Sequence, residues 1–387
     1  MFYSCLTEGF SLIAYLDNSA TTKVCKEAVA AMCDCMENSW GNPSSLHIVG
    51  INAFNVLEDA RETVAKALGC QKKEIFFTSG GTEANNLAIK GAVDKNKRRG
   101  RKIITSSIEH PSVMNVMDKL ERDGFEVVRL ICDENARVRI EDLEREIDEN
   151  TILVSLMAVN NEVGSIQPFD KVKNIINRNG SPALLHVDAV QAFGKIPLKP
   201  STTGIDLMTV SSHKVHGPKG VGALYIKDGV RITPVTLGGE QEKQIRPGTE
   251  AMPAIAGFAE AVRQLPNING QLKKMTSIRN DFLLKLKAVE GVCINSTEDA
   301  LPYIVNISVP GLRSEPMLNL LSDMGVCVSS GSACAKGHKS YVLEALGLDN
   351  GRIDSALRIS MSRYTTEEEL DLFIKGIQTA QKVLRRR

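Results

Sequence analysis

The chain has 387 residues, 43% hydrophobic and 24% charged, a soluble globular composition on a length that exceeds one core and so predicts two domains. Its 47 basic and 46 acidic side chains leave a net charge of +1, which offers no field for nucleic acid or an anionic membrane, and no run approaches the ~20 apolar residues that span a bilayer. Nine cysteines, an odd number spread from Cys5 to Cys334, make neither a disulfide framework nor a zinc site.

Met1 to Ala14 lacks a basic start and a small-residue cleavage site, which argues against a secretory leader. Cys33-Asp34-Cys35 is the single tight cysteine pair. A reducing cytoplasm is therefore the expected compartment.

From there the chain alternates strand-like and helical stretches. Glu74 to Thr78 reads as a strand, followed by a glycine turn and a helix that starts near Thr82. Further strands are predicted at Lys102 to Ser106, Thr151 to Ala158, Leu184 to Asp188, Asp206 to Ser211 and Gly222 to Ile226. Several are continuous apolar runs, as in a mostly parallel sheet buried on both faces. The alternation implies an α/β layered domain. After about residue 260 the pattern changes to a long amphipathic helix over Gln271 to Val289. Short strands follow at Tyr303 to Val309, Val326 to Ser329 and Leu357 to Met361. The last helix carries the clearest start signal, Thr365 or Thr366 with Glu368 or Glu369 three residues on. Leu370, Phe373, Ile374, Ile377 and Leu384 then form its apolar face.

The richest stretch for chemistry is Ser211-Ser212-His213-Lys214, between an apolar strand and Gly217-Pro218-Lys219-Gly220. A lysine amine becomes a nucleophile toward carbonyls only when burial or a neighbouring cation lowers its pKa from ~10.4. With Ser211 and His213 beside it to hold a phosphate, Lys214 suits pyridoxal phosphate; a solvated surface lysine is the other reading. Thr78 to Glu83 places glycines and free N–H groups at a helix start, which suits an anion around Gly81 and Thr82 or a plain helix cap. It has neither the P-loop ending nor the dinucleotide spacing.

Asp188 closes a predicted strand, where open α/β sheets place ligands. A carboxylate there keeps a cofactor pyridine nitrogen protonated; a helix cap is the alternative. Gln191 can reach a ring hydroxyl. His110 can stack on a planar ring, exchange protons or serve the structure alone. Asn160-Asn161-Glu162 can offer amides to a substrate carboxylate or to the cofactor's ring oxygen. Ser329 to Cys334 puts a cysteine in a small-residue loop near Lys336, His338 and Lys339, cations that raise its thiolate fraction. Arg358, on a predicted strand, suits a substrate carboxylate or a structural ion pair.

Together, several ordered segments closely resemble the NifS/IscS-type cysteine desulfurases, within the class-V aminotransferase branch of fold-type-I pyridoxal phosphate enzymes. The segments are Tyr15 to Thr22, Gly41 to His47, Phe77 to Glu83, Val159 to Glu162, His186 to Asp188, Ser211 to Lys214, Arg246 to Thr249 and Ser329 to Cys334. The resemblance implies a large α/β cofactor domain over 15–260. It also implies a smaller α+β domain over 261–387, joined by 1–14 and carrying the cysteine loop. By the same resemblance Lys214 forms the Schiff base and shuttles protons, and His110 stacks on the ring. Asp188 holds the pyridinium and Gln191 the ring hydroxyl. Gly81, Thr82, Ser211 and His213 cradle the phosphate, and Thr249 reaches it from the second subunit of a homodimer. Asn161 and Arg358, with Asn42, hold the carboxylate of L-cysteine, and Cys334 is the nucleophile that becomes a persulfide.

The implied sulfur acceptor is an iron–sulfur scaffold, a tRNA-thiolation enzyme or a thiamine-pathway carrier. No metal is implied. Three features depart from the family pattern: the segment before Ala14, Pro247 where relatives commonly have serine, and a short stretch from Ala335 to Ser340. Selenocysteine lyase or another class-V aminotransferase is the nearest alternative function, and a catalytically silent binding module on the same fold is the other.

Overall fold

Strands buried on both faces read as continuous apolar runs. The structure, a computed structural model describing residues 12–331 and 340–385, builds its central sheet from such runs. In chain order the strands are β1 (Ala14–Tyr15), β2 (Ile75–Thr78), β3 (Lys102–Ser106), β4 (Glu126–Leu130), β5 (Thr151–Met157) and β6 (Leu184–Asp188). They continue with β7 (Leu207–Ser211), β8 (Gly222–Ile226), β9 (Cys293–Ile294), β10 (Ile304–Ser308), β11 (Val326–Cys327) and β12 (Ala356–Ser360). Seven strands form one sheet in the order β2-β8-β7-β6-β5-β3-β4. β8 is antiparallel to both of its neighbours, and the remaining pairings are parallel.

Successive residues of these strands enter different cores, because side chains alternate across a sheet. Phe76, Ile103, Leu207 and Leu224 pack on one face with apolar residues of helices Gly81–Asn96 and Pro111–Arg122. Ile75, Phe77, Ile104, Met208 and Tyr225 face the other way into a larger core. That core continues through Phe282, Ile307, Leu357 and Phe373 of the C-terminal part.

There, β12, β10 and β9 form a three-stranded antiparallel sheet. The last helix, Glu367–Val383, starts with the expected reciprocal cap: Thr366 N donates to Glu369 Oε2 (2.8 Å) and Glu369 N to Thr366 Oγ1 (3.3 Å). Leu370, Phe373, Ile374 and Ile377 are buried on it, and Phe373 meets Phe282 edge-on at 5.9 Å. Leu384 stands just past the helix end.

Several elements differ from the sequence reading, the short strands β1 and β9 among them. The long helix starts earlier, spanning Ile268–Lys287, because Asn267 caps it by accepting Gly270 N at 3.0 Å. The strand expected to reach Ser329 ends at Cys327, and Ser329 makes an isolated bridge to Arg358. β4 was not anticipated: it is a sheet edge, and Glu126 and Arg129 break its apolar run.

The segment after residue 13 stitches the two parts together. β1 pairs in parallel with β11, and Asn18 Nδ2 donates to Ser360 O at 2.9 Å. A few residues on, Thr22 N donates to His213 O at 2.9 Å and Cys25 N to His216 O at 2.9 Å. One stretch thereby ties the C-terminal sheet to the loop after β7.

A second tie is ionic. Glu242, Lys243 and Gln244 have φ of 46°, 54° and 66°, left-handed values that side chains resist. The turn is held by the buried Glu242 carboxylate, which accepts Arg61 Nη1 (2.7 Å), Arg61 Nη2 (2.8 Å) and Phe77 N (2.9 Å). Replacing one member of a buried pair leaves the other charge uncompensated, so Glu242→Ala is expected to cost about 3–5 kcal/mol in urea unfolding. A loss below about 1 kcal/mol, the scale of an exposed pair, would mean that the turn stands without it.

Candidate active site

Five strands lead to one cavity of about 310 Å³. β2 hands over to the helix that begins at Gly81, β3 leads to His110, β5 to Asn161, β6 ends in Asp188, and β7 ends in Ser211 just before Lys214. This is the crevice outside the carboxyl ends of an open α/β sheet. Gly81, Thr82, His110, Asn161, Asp188, Gln191, Ser211, His213, Lys214 and Arg358 all line it. Asn42 does not; it is exposed, and its Oδ1 accepts Ser44 N at 2.9 Å. Thr249 is also exposed and off the cavity wall. Its segment is tethered near the mouth by Arg246 Nε, 3.0 Å from Glu83 Oε1. Cys334, with Lys336, His338 and Lys339, lies outside the described residues.

Lys214 Nζ donates to Ala20 O at 2.9 Å and to Ser19 O, and among the described residues no carboxylate lies within ion-pair distance of it. Burial pulls its amine down to about 7, Lys195 and Arg358 add to the drop, and Asp17 and Asp188 oppose it. The amine is thus ready to act as a base or nucleophile near neutral pH.

Asp188 takes the capping role its position allowed, and its second oxygen is held by a side chain. Oδ1 accepts Val190 N at 3.0 Å, a local turn cap, and Oδ2 accepts Asn85 Nδ2 at 2.7 Å. Asn85 Nδ2 also donates to Ser112 Oγ (2.8 Å), which lies 2.8 Å from His110 Nδ1. Ser112 N donates to the same Nδ1 at 3.1 Å. An imidazole nitrogen that accepts a backbone N–H carries no proton, so the proton of neutral His110 sits on Nε2. Burial keeps His110 below its ordinary pKa, with Asp188 opposing and Lys214 assisting. His213, lowered to about 4 by burial and by Lys214, Lys219 and Lys195, is neutral as well.

Arg358 is 2% exposed. Its Nη2 pairs with Asp17 Oδ1 at 2.8 Å and its Nη1 donates to Asn161 O at 3.1 Å, while Nε is buried without a partner. The structural ion pair exists, and the guanidinium, whose residue lines the cavity, keeps N–H groups to spare. Asn161 Oδ1 and Ser211 Oγ are likewise buried and unpaired, a costly state unless a ligand completes it.

These donors fit pyridoxal phosphate. The first N–H groups of the Gly81–Asn96 helix and Ser211 Oγ suit a phosphate. A Cβ at position 81 would stand 2.9 Å from Val190 Cγ2, so glycine lets the helix start close against that side chain. Asp188 suits a pyridinium nitrogen, and the Lys214 amine suits an aldehyde.

Sequence reasoning missed Asn85, Ser112 and Asp17. Asn85 lies one helical turn beyond Gly81 and so on its face, a signal that was present; nothing marked Ser112, and Asp17 stood inside the Tyr15 to Thr22 segment without a role of its own. It also passed over Glu109, whose Oε1 accepts Ser106 Oγ (2.6 Å) and Met157 N (2.9 Å) while Oε2 has no partner. Burial raises Glu109 from 4.5 to about 8, against those two hydrogen bonds. The folded chain therefore keeps a proton that the unfolded chain loses above 4.5, and stability falls as pH rises from there toward 8. Glu109→Gln retains the acceptor oxygen without the ionisation. Its urea stability should decline less than that of wild type between pH 5 and 8, and identical slopes would contradict a protonated Glu109.

A family model described as Aminotransferase class-V matches residues 14–373. A cysteine desulfurase of Trichormus azollae is 41% identical over 368 residues, 94% of this chain and 91% of that protein. A solved NifS-like protein superposes with a TM-score of 0.91 at 40% identity, covering 96% of this chain and all (100%) of that one. A structure described as SspA in complex with cysteine matches at TM-score 0.80 and 34% identity, over 91% of this chain and 100% of the other.

Proposed function

The chain belongs to the class-V aminotransferase family, and from that membership we propose a pyridoxal-phosphate-dependent cysteine desulfurase in which Lys214 holds the cofactor and Cys334 takes sulfur from L-cysteine. The observation that carries the reading is the Lys214 amine, without a carboxylate partner among the described residues and lowered to about 7, in one cavity with Asp188, His110 and Arg358. The desulfurase and the cysteine complex among its relatives support the substrate.

Bound pyridoxal phosphate supplies an electron sink for the pair left on the substrate's α-carbon. Around it, Asp188 keeps a proton on the ring nitrogen, and Asn85 fixes the orientation of that carboxylate. His110, with its proton on Nε2, would lie against the ring. The spare Nε–H of Arg358 and the amide of Asn161 take the substrate carboxylate. Lys214 Nζ, with its lowered pKa, would accept the α-proton and later return one. The Cys334 thiolate then attacks the substrate sulfur. An S–S bond forms as the Cβ–S bond breaks, and the carbon skeleton keeps the bonding pair. That skeleton takes a proton at Cβ and leaves as alanine, while the protein carries a persulfide. A sulfur-acceptor protein, such as an iron–sulfur scaffold, a tRNA-thiolation enzyme or a thiamine-pathway carrier, collects that sulfur in the cytoplasm. Among the described residues no helix is long and apolar enough to cross a membrane.

We place the active form as a homodimer. Trp40, Leu46 and Ile48 are 71%, 94% and 69% exposed around the start of helix Ile48–Leu68. An apolar group of this kind is typical of a protein–protein contact. In the dimer, the partner subunit's exposed Thr249 segment completes the phosphate cradle.

The purified protein should release alanine and sulfide from L-cysteine with a reductant present, and Cys334→Ala should keep its cofactor absorbance yet lose at least ~100-fold in rate, on the scale of losing a nucleophile. Cofactor binding without turnover of cysteine, or an equally active Cys334→Ala, would shift the assignment to another class-V activity. In sedimentation the protein should run as a dimer, and a double Leu46→Asp/Ile48→Asp variant as a monomer. An unchanged dimer would place the contact elsewhere.

A further inference from the structure

Lys195 has no part in the scheme above, yet it sits against its centre. It follows the turn after β6 and lines a small cavity, about 30 Å³, whose wall also includes Lys214. Among the described residues no carboxylate is within ion-pair distance of it. Its Nζ donates to Gln191 Oε1 at 3.3 Å and stands 5.7 Å from the Tyr303 ring centre.

Gln191 Nε2 donates in turn to Ser19 O at 3.0 Å, the same carbonyl that receives Lys214 Nζ. An ammonium can only donate and a carbonyl can only accept. The Gln191 amide is therefore held between them in a single orientation, with its oxygen toward Lys195 and its second N–H left over. Gln191 lines the cofactor cavity, so that N–H can serve a ring oxygen. An amide flipped the other way would set N–H against ammonium and oxygen against carbonyl.

We propose that Lys195 is a positioning residue of the cofactor site: it locks the Gln191 amide as a donor and, as a neighbouring cation, keeps the Lys214 amine in its free-base form. The proposal rests on the reading of Lys214 as the cofactor lysine. Burial lowers Lys195 itself to about 8, so it is largely charged at pH 7. The charged and titratable groups around Lys214 are Lys195 and Arg358, which oppose its protonation, and Asp17 and Asp188, which favour it. His110 and His213 also face it, and His213 and His216 feel Lys195 as well. The one cation in this group that touches both Lys214's cavity and Gln191 is Lys195. An adjacent cation is a recognised way of making a lysine nucleophilic at neutral pH.

The test uses the protein stripped of cofactor and then given pyridoxal phosphate across a pH series. The readout is the rate at which the absorbance of the lysine-linked cofactor returns, and the cofactor's own titration cancels between variants. Wild type should show a midpoint near the Lys214 value of about 7. Lys195→Met and Lys195→Gln each remove the cation, so a protonated Lys214 becomes more favourable. Their midpoints should rise by roughly one pH unit, the size of effect that removing one nearby charge implies. Lys195→Arg keeps the charge and should stay at the wild-type midpoint. Circular dichroism identifies which neutral variant is folded, and either one suffices. Midpoints of both neutral variants equal to wild type would overturn the proposal, as would Lys195→Arg shifting as far as they do, which would make packing the cause. Lys214→Ala serves as the separate control. If it still forms the borohydride-reducible adduct, the reading of Lys214 fails first; if it does not, the comparison judges Lys195 alone.

Discussion

A lysine amine held among backbone carbonyls and other cations, with no carboxylate among the described residues to pair it, is the constraint around which this molecule is arranged. Lys214 donates to the Ser19 and Ala20 carbonyls, and the acids near enough to be felt, Asp17 and Asp188, are each committed elsewhere. Asp17 is paired with Arg358; Asp188 accepts Asn85 and Val190 N. Had either carboxylate turned to Lys214, an ion pair would have raised its pKa and locked the amine as ammonium. The hydrogen bonds that occupy the acids are therefore as much a part of the site as the lysine.

The fold supplies that arrangement from distant parts of the chain. Parallel strands point their carboxyl ends to one edge, which brings together residues 81, 110, 161, 188 and 214. Arg358 comes from β12 in the C-terminal sheet. The link is the stretch after β1, bound at one end to β12 through Ser360 and at the other to the Lys214 loop through His213 and His216. It also presents the Ser19 and Ala20 carbonyls. A shift of the C-terminal sheet would thus be felt directly at Lys214 Nζ.

Much of this was legible in the chain. Continuous apolar runs marked β3, β6 and β8 to the residue, because burial on both faces leaves no alternative pattern, and the Thr366–Glu369 cap was readable from its spacing. The edge strand β4 was not, since half-buried polar positions erase the run. Among site residues, those directly following a strand were found, because that position alone suggests a ligand. Asn85, Ser112 and Asp17 were not. Their importance lies in whom they touch, and those partners are 103, 27 and 341 residues away or, for Ser112 and His110, two residues apart. The ion pair of Arg358 was foreseen as an alternative to substrate binding, and the guanidinium's three nitrogens leave room for both.

The most direct measurement is to reduce the cofactor-loaded protein with borohydride, digest it and locate the pyridoxyl group by mass spectrometry. The account predicts the label on the peptide containing Lys214 and on no other. Label on Lys195, or a cofactor that washes away unreduced, would contradict it, because the amine with the lowered pKa would then not be the one that reacts.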